Sequence, residues 1–406
     1  MRTNILQYLE ETAARVPEKV SFSDGKDSVT FAELYRGARS IGSLLAEKNC
    51  RRRAVAVLMD KHPHAIVTFM GIIYSGAYYV ALDAQMPSLR MQMIIDTIDP
   101  AFIITDEKHR KTADALGRDV LIYSDIVNHT ENAALLENIR AKQIDADPIY
   151  VVFTSGSTGV PKGVAACHRS VIDYTESLCE AIGFDENTVF GNQTPLYFDA
   201  CLKEIIPTLK YGATTHLIPR KLFLLPVKLV EYLNEKKINT LCWVVSALTY
   251  ISSFKTFETV IPQYLKTIAF ASEVFPIRQL NIWRNALPNT RFINLYGPTE
   301  TTGICCYYEV EREFGEDEVL PVGRPFPNTE VILLDENNRV SAPGERGEIC
   351  IRGTRLTHGY FLNPEKTAEA FVQNPLNPHY PELIYRTGDI GTYNARGELI
   401  FLSRKD

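Results

Sequence analysis

No apolar run in this sequence approaches the ~18–20 residues that a membrane-spanning helix needs. A positive excess is missing too: 43 Lys and Arg stand against 49 Asp and Glu, a formal net charge of −6. That balance argues against a surface built for nucleic acid. The N-terminal MRTNILQYLEE turns acidic at once and lacks the apolar core of a secretory signal. The 8 cysteines show no C-x-x-C spacing, although Cys305 and Cys306 are adjacent. Scattered thiols without a framework fit reduced, packed side chains in the cytoplasm. The 8 histidines form no H-E-x-x-H run and no His/Cys ligand cluster, which argues against a zinc site. Internal repeats and low-complexity tracts are also missing.

What the chain does have is length and core. Its 406 residues are 45% apolar, enough for one large, lobed core. Apolar spacing predicts a helix over 4–17 and a second from Thr30, with Glu33 completing a capping box. Strands at 54–59, 78–82 and 101–105 alternate with helices near 65–74 and from Pro87. Residues 126–148 are polar and read as a connector. Alternation resumes with helices near 170–182, from Ala200, at 227–235 and near 276–286. The strands between them fall at 189–192, 214–218, 239–244, 267–270 and 291–295. Such alternation implies mostly parallel sheets with helices on their faces. From Gly303 the pattern changes to short β runs at 330–334, 348–352, 390–393 and 398–402, separated by Gly, Pro and Asn. The expected α/β fold is two αβ-layered lobes, 1–145 and 146–302, plus a small antiparallel barrel-like lobe over 303–406.

The organising stretch is YVVFTSGSTGVPKGV, from Tyr150 to Val164. A short buried strand leads into Thr154, Ser155, Gly156, Ser157, Thr158 and Gly159, and Lys162 follows. Two glycines let backbone N–H groups approach an anion, hydroxyls add donors, and the lysine adds charge. That is the chemistry of a phosphate cradle, set against the plainer reading of a polar surface loop. A Walker A loop is excluded, because Pro161 precedes Lys162 and Gly163 follows it. The stretch resembles the phosphate-binding signature of the adenylate-forming enzymes: peptide-synthetase adenylation domains, acyl-CoA synthetases and luciferases.

Further segments are similar to the same family along nearly the whole chain. Residues 76–83, GAYYVALD, match with Ala81 and Ala84 in place of two usual prolines, and read as structural. In Asn294-Leu295-Tyr296-Gly297-Pro298-Thr299-Glu300 the resemblance implies that Tyr296 lies on adenine and Asn294 pairs with its amino edge, with Gly297 in the same nucleotide-binding turn. It also implies that Thr299 bonds the α-phosphate. Glu300 is then the Mg²⁺ ligand, a role suited to a hard oxygen donor. Lys162, Thr299 and Glu300 become the candidate catalytic residues, with ATP and Mg²⁺ as cofactors. In Tyr385-Arg386-Thr387-Gly388-Asp389 the implied role of Asp389 is to hold the ribose hydroxyls, with Arg404 nearby. Residues 347–353 with Gly359-Tyr360 read as architecture of the β lobe. The chain stops at Asp406, the hinge position, with Ser403 in place of the usual Gly. The family's lid, with its lysine, would follow; an excised core that turns over slowly is the expectation.

Phe198-Asp199-Ala200-Cys201-Leu202-Lys203-Glu204 bears on the substrate. Asp199 starts a predicted helix and Lys203 lies one turn on, on the same face. Asp199 is either a helix cap or, as in amino-acid-activating relatives, the partner of a substrate ammonium; Phe198 matches the aromatic gate before it. The resemblance places Ala200, Lys203, Trp243, Ala269, Ala271, Leu295, Gly303 and Ile304 on the pocket wall. Lys203 either neutralises an acidic side chain or runs its stem along the wall with its head in water. The implied activity is ATP-dependent conversion of an amino acid to aminoacyl-AMP, for transfer to the phosphopantetheine thiol of a carrier protein. The alternatives are an acyl- or aryl-CoA ligase, and a nucleotide- and amino-acid-binding core with little turnover.

Overall fold

A computed structural model describes residues 2–154 and 161–405. Ser155, Gly156, Ser157, Thr158 and Gly159 of the phosphate loop, and Asp406, lie outside the described residues. The alternation reads out as two αβ sheets and a third, antiparallel one. The first sheet has six strands, ordered Val120–Ile122, Ile103–Thr105, Ala54–Leu58, Tyr78–Leu82, Pro148–Thr154 and Lys162–Cys167. It is parallel except for the last strand, which returns antiparallel and sets Thr154 opposite Lys162. The second sheet has nine strands, parallel from Arg291–Tyr296 through Thr267–Ala271, Thr240–Val244, Val189–Asn192 and Thr214–Leu217 to Val20–Ser23. Antiparallel strands close both of its edges. The β lobe joins Thr329–Leu334, Gly347–Gly353, Leu383–Tyr393, Phe371–Gln373 and Leu399–Arg404.

Sheet membership crosses the boundaries expected from sequence. Pro148–Thr154 and Lys162–Cys167 belong to the first sheet, not to a lobe starting at 146. Val20–Ser23 and Ser28–Thr30 belong to the second, and so do Cys306–Glu309 and Arg324–Pro325, beyond position 302. Strand partnership is a tertiary choice, so a linear cut cannot follow it. The polar stretch 126–148 also contains a helix, Ala133–Arg140, held by an Asn132 cap on Leu135 N–H.

One continuous apolar core lies between the two αβ sheets. The helices Phe31–Glu47, Pro63–Tyr74, His168–Ile182 and Leu202–Tyr211 fill it with Leu34, Ile41, Phe69, Leu178 and Ile206. The Thr30–Glu33 capping box is formed in both directions, which fixes the start of Phe31–Glu47. A charged group breaks this apolar layer. Lys61 reaches across from the first sheet and donates to the carbonyls of Asn192 (3.0 Å) and Gln193 (3.1 Å). Asn192 Nδ2 in turn donates to Glu204 Oε2 at 3.0 Å.

Burial pushes the Glu204 carboxyl up to about 8 and the Lys61 ammonium down to about 8, each restrained by opposite charge nearby. Glu204 Oε1 and Asn192 Oδ1 are buried acceptors without a donor. A protonated Glu204 turns one of its carboxyl oxygens into a donor. Because the folded state holds that proton more tightly than the unfolded chain, stability is greatest below the ordinary glutamate range and falls as pH rises toward 8. Glu204→Gln keeps the shape and removes the titration. Its melting temperature should therefore change less than that of the parent between about pH 5 and pH 8. Equal slopes by differential scanning calorimetry would place the proton elsewhere.

Candidate active site

The site forms where the three sheets meet. The hairpin of Pro148–Thr154 and Lys162–Cys167 brings Thr154 and Lys162 to one mouth. Gly163 permits that hairpin, since a Cβ there would sit 2.7 Å from Val151 Cγ1. Strand Arg291–Tyr296 ends beside it, and the turn that follows carries Thr299 and Glu300. A cleft of about 1410 Å³ joins Thr154, Lys162 and Glu300 to Tyr360, Tyr385, Thr387 and Arg404.

Tyr296, Asp389 and Arg404 are brought together. Tyr296 donates its hydroxyl to Asp389 Oδ2 at 2.6 Å, and Arg404 Nη1 meets Asp389 Oδ1 at 3.0 Å. Burial and the Asp389 charge raise the Tyr296 phenol well above its usual range, so it stays a donor. Asn294 Nδ2 donates to the Pro321 carbonyl at 2.8 Å, so its amide oxygen faces away from that bond as an acceptor. Gly297 serves packing: a Cβ there would lie 2.5 Å from Ile304 Cα.

Glu300 is held from two sides. Its carbonyl accepts Thr357 N–H at 3.0 Å, and its Oε1 accepts the Tyr360 hydroxyl at 2.8 Å. Lys162 Nζ lies 5.4 Å from the Tyr360 ring centroid, in cation–π range. Tyr360 is thus a site residue, not only architecture of the β lobe, and Tyr385 joins it. Both phenols are raised by burial and by the Glu300 charge. The signal in Gly359-Tyr360 was the phenol rather than the glycine. A single carboxylate fits a cation that also binds phosphate oxygens and water.

Asp199 opens a 3-10 turn, Asp199–Cys201, that runs into the helix Leu202–Tyr211. It makes no helix cap, and its Oδ2 is buried without a hydrogen-bond partner. Burial pushes its carboxyl up; the Thr299 side chain and the Lys203 charge pull it back, and Glu300 pushes it further up. Lys203 is 1% exposed, which removes the reading with its head in water. Among the described residues no carboxylate comes within ion-pair distance of it. Ala269, Ala271, Leu295 and Ile304 are buried in the core that holds this helix, with Ala200 at its start. A Cβ on Gly303 would lie 3.6 Å from Asp199 Oδ2.

Trp243 is not on this wall. It pairs in register with Phe270, and both belong to the cluster on the opposite face of the second sheet. Its Nε1 donates to the Gly191 carbonyl at 2.6 Å. The residue facing the pocket helix is Cys242, in register with Ala269. A slip of one residue along a strand exchanges faces.

Elsewhere, Asp24, Asp27 and His62 bring three possible metal ligands together. His62 Nδ1 accepts the His64 N–H at 3.1 Å, so its proton sits on Nε2, 3.1 Å from Asp27 Oδ2. That nitrogen is a donor to Asp27, not a ligand.

Asp389→Ala removes the partner of Tyr296 and Arg404 together. Hydrogen bonds to charged groups are worth ~1.5–3 kcal/mol. AMP affinity should fall by roughly tenfold to a hundredfold by calorimetry. An unchanged affinity would remove Asp389 from the nucleotide site.

The family model described as "AMP-binding enzyme" matches residues 9–361. A linear gramicidin synthase of Brevibacillus parabrevis is 31% identical over 403 residues, covering 98% of this chain and 5% of that protein. Tyrocidine synthase 1 of the same organism is 28% identical over 407 residues, covering 99% of this chain and 36% of that protein. Zwittermicin A synthase ZmaJ of Bacillus cereus is 29% identical over 414 residues, covering 100% and 77%. The chain thus spans well under half the length of the first two relatives. Among solved structures, the nonribosomal peptide synthetase FmoA3 (S1046A) superposes with TM-score 0.91 at 24% identity, over 100% of this chain and 43% of that one. The artificially fused adenylation–PCP di-domain NpsA-ThdA of Klebsiella oxytoca gives 0.84 at 21%, over 99% and 79%. These likenesses, with Glu300 and the Asp389 partner Arg404 at one cleft, place the chain in the AMP-binding, adenylate-forming enzyme family, with the core fold of peptide-synthetase adenylation domains.

Proposed function

We propose that this chain activates an amino acid with an acidic side chain, forming aminoacyl-AMP and pyrophosphate from ATP. One observation carries the reading. Asp199 offers a buried carboxylate oxygen with no donor, beside Gly303 and in the field of Lys203. An uncompensated buried charge is costly, and a substrate ammonium removes that cost. A simple acyl or aryl acid has none to offer, which disfavours the CoA-ligase alternative. Lys203 makes the complementary demand: its buried ammonium acts on Asp199 and Glu204 through space without an ion pair to either, which suits a further carboxylate on the substrate.

The substrate's α-carboxylate is already ionised at neutral pH, so its attack on the α-phosphorus needs no general base. Lys162 and Thr299 would steady the phosphate oxygens, and Asp389 and Tyr296 the nucleoside. Glu300 would hold Mg²⁺, which supplies charge neutralisation beside the phosphates. Tyr360 would orient that carboxylate through its 2.8 Å bond. The acceptor would be the phosphopantetheine thiol of a carrier protein. A second cleft of about 550 Å³, lined by Lys61, Ala81, Asp83, Leu196 and Tyr197, would be the approach for that thiol. Its wall residue Phe69 stacks at 4.2 Å on Tyr79, whose phenol senses the Asp199 charge.

Pyrophosphate exchange across the twenty amino acids tests the reading, with aspartate and glutamate expected to lead. Asp199→Ala should lose amino-acid binding while keeping that of ATP, by ~3–5 kcal/mol for a broken buried pair. Exchange with simple acids in preference to amino acids would overturn the assignment. Lys203→Met should move the preference from acidic to neutral side chains. If the ranking of amino acids stays as in the parent, Lys203 reads no carboxylate.

A further inference from the structure

The turn that covers Asp199 is held in an unfavourable shape. Thr302 has φ +58° and Gly303 φ +89°, both in the left-handed region. Glycine enters that region freely, whereas a β-branched residue does so only under restraint. The restraint comes from the β lobe. Thr302 Oγ1 donates to the Arg355 carbonyl at 2.8 Å, and Arg355 Nη1 donates to the Ile304 carbonyl at 2.7 Å. Arg355 Nε pairs with Asp173 Oδ2 at 3.0 Å, and Asp173 Oδ1 accepts Asn328 Nδ2 at 2.7 Å. The guanidinium lies 4.6 Å from the Phe326 ring centroid and its side chain is fully buried.

Arg355 thus grips both ends of the Thr302–Ile304 turn and anchors them to the helix His168–Ile182. That turn bounds the space over Asp199. A Cβ on Gly303 would lie 3.6 Å from Asp199 Oδ2 and 3.9 Å from Tyr174 Cε2, so a small shift of the turn changes what fits. We propose that Arg355 is a positioning residue that sets the volume of the amino-acid pocket, an inference that rests on the amino-acid reading of Asp199. It needs no contact with the substrate: the clasp with Asp173 keeps a strained turn in the one conformation that leaves Asp199 open.

The test compares calorimetric affinity for AMP and for the amino acid that leads the exchange screen. Arg355→Lys keeps a positive charge for Asp173 but loses the planar fork that reaches Ile304 as well. Amino-acid affinity should fall at least tenfold with AMP affinity within twofold, and bulkier amino acids should rise in the ranking. Asp173→Asn, which leaves the Ile304 bond, should shift affinity the same way by a few fold. Adding Thr302→Gly to Arg355→Lys should restore much of the lost affinity, because glycine takes the left-handed conformation without strain, although the Oγ1 bond to the Arg355 carbonyl is given up. A merely structural role would weaken both ligands alike or only lower the melting temperature; either result, or no rescue by glycine, overturns the proposal. Should Arg355→Lys fail to fold, the Asp173→Asn split decides by itself. A parent chain that binds AMP but no amino acid overturns the adenylation reading and the clasp together. A parent that binds both, with variants that show no split, overturns the clasp alone.

Discussion

Backbone hydrogen bonds from residues 357–361 join the β lobe to both αβ sheets. Thr357 N–H meets the Glu300 carbonyl at 3.0 Å on the second sheet's side. His358 N–H meets Ala165 O at 2.9 Å, Ala165 N–H meets Gly359 O at 3.1 Å, and Phe361 N–H meets Gly163 O at 2.6 Å on the first. Each such bond adds only ~1 kcal/mol net. Their effect is registration. They fix the mouth of the Thr154–Lys162 hairpin against the Glu300 turn, and Tyr360, inside the same run, closes the triangle with its hydroxyl. The cleft is the gap left where three sheets are pinned together.

The cleft and the adjoining pocket break the rules that the rest of the molecule obeys. Leu34, Ile41 and Ile206 fill the inter-sheet layer at essentially zero exposure, whereas Lys203 and Glu204 are charged groups buried there, and Glu204 Oε1 has no donor. Groups of this kind lower stability unless something else satisfies them. Glu204 has an internal remedy, protonation, toward which burial pushes it. Asp199 keeps one buried oxygen without a donor, although Thr299 and the Lys203 charge act on its carboxyl. Violations of this sort gather where a ligand supplies the missing partners.

Much of the fold was legible because its strands are short, apolar and separated by helices with clear periodicity. The strand Val189–Asn192 and the Thr30–Glu33 capping box fall where the spacing put them. Elements that owe their existence to distant partners were not legible. Lys162–Cys167 begins at Pro161 and carries two alanines, a weak β signal, yet it is a strand because Pro148–Thr154 and residues 358–361 flank it. Val20–Ser23 gains its place from Thr214–Leu217, nearly two hundred positions on. At the site, residues named from motifs arrived together: Tyr296, Asp389 and Arg404 are in contact. Trp243 did not, because a face assignment depends on register, and in a strand buried on both sides every residue is apolar. Arg355 carried no sequence signal, since its importance lies in which carbonyls it reaches.

Asp199 and Lys203 feel each other's charge yet stand outside ion-pair distance. At about 4 Å and an effective dielectric of ~20, direct pairing would gain ~4 kcal/mol of attraction. Asp199 lies in a 3-10 turn and Lys203 is the second residue of the α-helix that follows it. Foregoing that attraction leaves an anion and a cation near each other without a direct pair. On the proposed reading, a substrate with an ammonium and a distal carboxylate satisfies both at once, and a neutral amino acid satisfies one. A simple acid leaves Asp199 uncompensated. Selectivity then follows from which charge is left buried and alone, a larger effect than any fit of the small Ala200, Ala269 and Ala271 walls.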